Sequence, residues 1–138
     1  MGWKIIDHTA DAGLEVWATS WHDLFLQAAE GFYCLCLDGA PPLPPEGTAG
    51  KSRVLRLETL DLEELVVSWL HELLFLLESE GVFFHPTSLT VTPHPPALVA
   101  EGLLFPSPGG RIAVKAATYG GMVLESSPHP FLRLYLDL

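Results

Sequence analysis

The chain has 138 residues, 49% of them hydrophobic and 17% charged, which suits one folded domain over 1–138 with a real core and excludes a disordered chain. Seventeen Asp and Glu against seven Lys and Arg give a formal charge of −10. That field disfavours strong direct nucleic-acid binding and suits a cation or a basic protein partner. No apolar run reaches the ~18 residues of a membrane span, and the opening is too polar, with no basic flank, for a secretory signal, so the expected location is the cytoplasm.

In chain order, Trp3 to Asp7 reads as a strand and Leu14 to Ala18 as a second, with Leu14, Val16 and Ala18 on one face and Glu15 and Trp17 on the other. Between them His8-Thr9-Ala10-Asp11-Ala12-Gly13 reads as a tight connection. A turn role accounts for Thr9 and Gly13. It accounts less well for Asp7, His8 and Asp11 crowding into one corner. Thr19-Ser20 offers an N-cap, with Asp23 three residues after Ser20. Trp21, Leu24, Phe25, Ala28, Phe32 and Leu35 then recur at spacings of three and four, an amphipathic helix ending near Leu37. Gly31 inside it costs about 1 kcal/mol against Ala and asks for a close packing contact. Asp38 to Gly50 is a Pro- and Gly-rich exposed loop, with Asp38 at its mouth as a helix-stop or turn residue.

Ser52 to Glu58 alternates as a strand. Asp61 then caps the strongest helix, with Glu64 at the capping-box position. Leu62, Leu65, Val66, Trp69, Leu70, Leu73, Leu74 and Leu77 keep the helical repeat, and Val67, Phe75 and Leu76 widen the apolar face. Such a helix is covered on more than one side, either under the sheet and a loop or in a protein contact. His71 and Glu72 fall on the remaining polar strip, and Gly81 ends the helix. Val82 to Pro93, Ala97 to Phe105, Ile112 to Leu124 and Phe131 to Leu138 carry the remaining β signal, with Gly120-Gly121 marking a bulge or sharp bend. Grouped strands with two helices between them predict an α+β fold: two main helices packed on one face of an antiparallel or mixed sheet.

Cys34 and Cys36 lie two apart in a helical pattern, point to different sides, and read as small buried apolar groups. The six His show no His-x-x-x-His spacing, and nothing in the pattern argues for zinc. No G-x-S-x-G and no nucleotide-binding glycine loop supplies a catalytic group. On the last strand Leu132, Leu134, Leu136 and Leu138 share one face, and Arg133, Tyr135 and Asp137 the other. Asp137 therefore sits as a carboxylate beside the terminal carboxylate, and something must hold two anionic groups there. One answer is a hard divalent ion, which takes carboxylate and carbonyl oxygens. Asp11, Asp137 and the carbonyl or terminal carboxylate of Leu138 make an oxygen-only site if the two chain ends meet, which periodicity does not show; a structural Asp137 is the bland reading.

His8-Thr9-Ala10-Asp11-Ala12-Gly13, Asp61 through Leu74, Lys115-Ala116-Ala117-Thr118-Tyr119 and Asp137-Leu138, in this order and across essentially the whole chain, resemble the archease family. The resemblance implies a non-catalytic accessory protein that activates RtcB-type RNA ligases in tRNA splicing and RNA repair, promoting ligase guanylylation and multiple turnover. It implies that Asp11, Asp137 and Leu138 hold a divalent cation, Ca²⁺ foremost, with Mg²⁺ or Mn²⁺ as alternatives. His8 and Asp38 are implied as supporting or partner-facing residues. Two positions depart from the family pattern: Gly120-Gly121 stand where a His usually follows the Thr-Tyr pair, and His71 where Asn is usual. The competing readings are a small metal-dependent hydrolase using His8 beside Asp11, and a chaperone-like binding module using the apolar helix and the Pro-rich loop.

Overall fold

The alternation along the strands sorts their side chains into a buried and an outward set, and pairing follows from it. A computed structural model describes residues 1–7 (without the Asp7 side chain), 11–37 and 39–138. The elements are β1 (Gly2–Asp7), β2 (Ala12–Trp17), α1 (Trp21–Leu37), β3 (Lys51–Glu58), α2 (Leu62–Phe75), a π-helical turn (Leu76–Glu80), β4 (Val82–Pro93), β5 (Pro96–Pro106), β6 (Ala116–Glu125) and β7 (Phe131–Asp137). They form two sheets, one in the order β1-β2-β7-β6 and one in the order β3-β5-β4, with every pairing antiparallel.

The helices lie between the sheets. Gly31 of α1 leaves room for Leu14 and Trp3 of the first sheet: a Cβ there would fall 2.6 Å from Leu14 Cδ1. This is the close contact that the glycine's helix penalty called for. From the same helix the Tyr33 hydroxyl accepts from the Phe84 N–H of β4 at 2.9 Å. Trp69 of α2 donates to the Phe25 carbonyl of α1 and meets Phe84 edge-on, while α2 also packs on β6. The α+β class and the two main helices stand as read from the sequence. The strands divide into two layers because α2 is apolar around most of its girth, more surface than one sheet can cover.

Local signals account for the helix ends. Ser20 Oγ accepts from the Asp23 N–H at 3.1 Å, and Asp61 Oδ1 accepts from the Glu64 N–H at 2.7 Å. Glu64 reaches back to the Leu60 N–H. Gly81, at φ +66°, closes the π-helical turn. Pairing between β6 and β7 shifts register between Thr118 and Val123, around Gly120-Gly121. Among the described residues no helix is long and apolar enough to cross a membrane.

Candidate metal centre

The site is built on β7, which runs between β2 and β6. Leu132, Leu134 and Leu136 point inward and are fully buried, which turns Arg133, Tyr135 and Asp137 to the face away from the helices. Across on β2, Glu15 stands opposite Arg133 and Gly13 opposite Tyr135. Ala12 pairs with Leu136 as the last pair of this register, with Asp11 directly before Ala12 and Asp137 directly after Leu136. Asp11 Oδ1 is shielded from solvent, whereas Asp137 is exposed. On its other side Asp137 pairs with Ala116, and its carbonyl accepts from the Lys115 N–H at 2.7 Å. The residue before Leu138 is thus tied from the β6 side. Leu138 itself is half exposed.

Two carboxylates close together on adjacent strands repel one another unless a cation lies between them. The shielded Asp11 oxygen, the Asp137 carboxylate and the backbone oxygens of Leu138 would make a donor set of oxygen alone. It fits Ca²⁺, Mg²⁺ or Mn²⁺ better than zinc or copper. Among the described residues no group of three or more His, Cys, Asp or Glu gathers around an ion position. A cation here would have Asp11, Asp137 and backbone oxygen to hold it. His8 and Asp38, the other two residues singled out in the sequence, lie outside the described residues.

The neighbouring positions on the same face are occupied by a charge network that the sequence did not announce. Glu15 Oε2 accepts from Arg133 Nε at 2.9 Å and Nη2 at 2.6 Å, and Oε1 lies 3.3 Å from Lys4 Nζ. The Arg133 guanidinium, with Lys4, holds the Glu15 carboxyl below the usual carboxylate range despite partial desolvation. Both basic side chains on this part of the face are committed to Glu15. Between that row and the carboxylates lies the Tyr135 ring. A Cβ on Gly13 would fall 3.2 Å from it, and one on Gly121 2.9 Å. The two glycines leave the ring its seat.

His71 is exposed, on the polar strip that periodicity gives it, and its Nε2 accepts from the Ala117 N–H of β6 at 3.0 Å. Nothing local in the sequence signals a contact between a helix and a strand so far apart in the chain. Cys34 and Cys36 are both buried and unbridged, and burial pushes the Cys36 thiol up to about 12. They are packing groups, as the sequence suggested, and poor nucleophiles.

Comparison with known proteins gives the family and the fold. The profile of the Archease protein family (MTH1598/TM1083) matches residues 3–138. A protein of Methanopyrus kandleri named "Protein archease" is 30% identical over 131 residues, covering 91% of this chain and 90% of its own. One of the same name from Thermococcus gammatolerans is 30% identical over 132 residues, covering 91% and 89%. The solution structure of Methanobacterium thermoautotrophicum protein 1598 superposes with a TM-score of 0.65 over 99% of both chains at 21% identity, a likeness of fold. Matched over nearly its whole length, the chain belongs to the archease family.

Proposed function

We propose that this chain is an accessory protein, not itself an enzyme, that activates an RtcB-type RNA ligase in tRNA splicing and RNA repair. In this reading it promotes ligase guanylylation and repeated turnover, using a divalent cation held by Asp11, Asp137 and Leu138, Ca²⁺ before Mg²⁺ or Mn²⁺. The observation that supports the proposal is the β2–β7 register, whose last pair, Ala12 with Leu136, adjoins both Asp11 and Asp137 in a chain of the archease family.

When bound, the ion supplies positive charge to an otherwise doubly negative corner. The chain's own residues do the rest. Asp11 has one carboxylate oxygen shielded from water. The Lys115 N–H and the Ala116 pairing hold the backbone of Asp137. Lys4 and Arg133, on the same face, pair with Glu15. An acidic protein that acts on an RNA enzyme need not bind RNA itself, in keeping with the charge of −10.

The test is a multiple-turnover ligation assay with a purified RtcB-type ligase. Wild-type protein raises turnover, and Asp11→Ala, shown to be folded by circular dichroism, does not. Full stimulation by the folded variant sinks the proposal, and RNA processing by the protein with no ligase present favours the hydrolase reading instead.

A further inference from the structure

We infer that His71 is a positioning residue for Asp137, acting through the edge of β6, and that it does so only as a neutral imidazole. In the sheet order β1-β2-β7-β6, β6 is an edge strand, and the outward amides of an edge have no strand to bond. The Ala117 N–H instead donates to His71 Nε2 of α2.

The location gives this bond its weight. Regular β6–β7 pairing beside Asp137 is only three residues long, Ala116 with Asp137, Ala117 with Leu136 and Thr118 with Tyr135. After Thr118 the register breaks until Val123. This short stretch carries the carbonyl-holding Lys115 N–H immediately before it. Thr118 Oγ1 adds a bond to the Tyr135 carbonyl at 3.1 Å, on the β7 side. His71 is thus the anchor of this stretch on its other side, tying it to the rigid α2. A bond at Ala117 therefore bears on where the Asp137 backbone lies.

A nitrogen that accepts has no hydrogen on it, so the His71 proton is on Nδ1. On protonation both ring nitrogens become donors, Nε2–H opposes the Ala117 N–H, and the anchor is lost. Histidine is the side chain that ordinarily changes charge between about pH 5 and 8. The titratable and charged groups on the elements around this contact are Glu63, Glu64 and Glu72 of α2, Glu78 and Glu80 of the π-helical turn, Tyr119 and Glu125 of β6 with Lys115 just before it, and Arg133, Tyr135 and Asp137 of β7. All are retained when His71 alone is exchanged, so a His71 variant isolates the imidazole from them.

Two variants divide the outcomes. His71→Gln places an acceptor oxygen where Nε2 was but does not titrate; His71→Leu keeps bulk and removes the acceptor. Amide hydrogen exchange is read by NMR on the protein without added metal at pH 7.5 and 5.5, corrected for intrinsic rates. The Lys115 amide reports directly on the Asp137 carbonyl. At pH 7.5, His71→Leu speeds exchange at Ala117 and Lys115 about threefold to tenfold, the worth of one hydrogen bond, and His71→Gln does not. At pH 5.5 the wild type behaves like His71→Leu, while His71→Gln keeps its protection. Unchanged Lys115 exchange in His71→Leu overturns the inference. If that variant does not fold, equal pH responses of wild type and His71→Gln overturn it instead. The effect on Ca²⁺ affinity rests on the cation reading above, and the exchange experiment does not: absence of Ca²⁺ binding to the wild type counts against that reading, and the metal-free exchange pattern still decides the role of His71.

Discussion

Replacing Trp69 by Phe tests whether α2 is buried from both sides. The indole is fully buried, donates to the Phe25 carbonyl at 3.0 Å and meets the Phe84 ring edge-on with centroids 6.1 Å apart. It therefore joins α1, α2 and the second sheet at one point. The change removes about 40 Å³ of ring, which at about 24 cal/mol per Å³ of residual cavity costs about 1 kcal/mol. Loss of the hydrogen bond adds about 1 kcal/mol, and a weakened edge contact about 0.5 kcal/mol. The expected loss is about 2.5 kcal/mol, or on the order of 8 °C in Tm for a domain of this size. Urea unfolding followed by far-ultraviolet circular dichroism measures it as a lower midpoint at constant slope. Trp17→Phe is the control, since Trp17 is 41% exposed at the sheet surface and its replacement falls within about 0.5 kcal/mol. If Trp69→Phe costs no more than the control, the helix is not packed as described and the three-layer argument fails.

Acid unfolding reports on Glu15. Its folded carboxyl titrates below the usual range because of Arg133 and Lys4, so its stabilisation is present above the ordinary glutamate pKa of about 4.3 and is lost as pH falls through the lower folded value. Glu15→Gln should flatten the fall of Tm between about pH 4 and 2; superimposable acid limbs would contradict the network. Neither Cys34 nor Cys36 should react with a thiol reagent in the native protein at pH 8, and both should react in urea, since burial raises both thiols. Rapid native labelling would show that the layer around α1 opens. Gly121→Ala combines a φ of +74° with a Cβ placed 2.9 Å from the Tyr135 ring, and should cost about 1–2 kcal/mol in thermal unfolding.

Much of this fold is legible because its signals are local. Ser20 and Asp61 mark helix starts through the side-chain oxygens that cap them, and the Leu132-Leu134-Leu136 alternation marks β7 and its buried face. Gly120-Gly121 marks the register break. What was not legible is long-range. The division into two sheets depends on which strands pair, and alternation is silent on that. The π-helical turn at Leu76–Glu80 preserves an apolar face that a regular helix would also show. The His71–Ala117 bond and the Lys4–Glu15–Arg133 row join residues with no periodic relation. The carboxylates fall between the two cases. The residues are readable, since Asp137 ends an alternating strand, but that Asp11 and Asp137 both adjoin the last pair of β2 and β7 needs the register.

That adjacency is tested most directly by isothermal titration of Ca²⁺ into the wild type, Asp11→Asn and Asp137→Asn, each checked for folding. One ion should bind the wild type per chain, and each single substitution should weaken binding by about tenfold or more, because the two oxygens serve the same ion. Binding that survives both substitutions unchanged, or a wild type that takes up no ion, would contradict a cation shared by the first hairpin and the last strand.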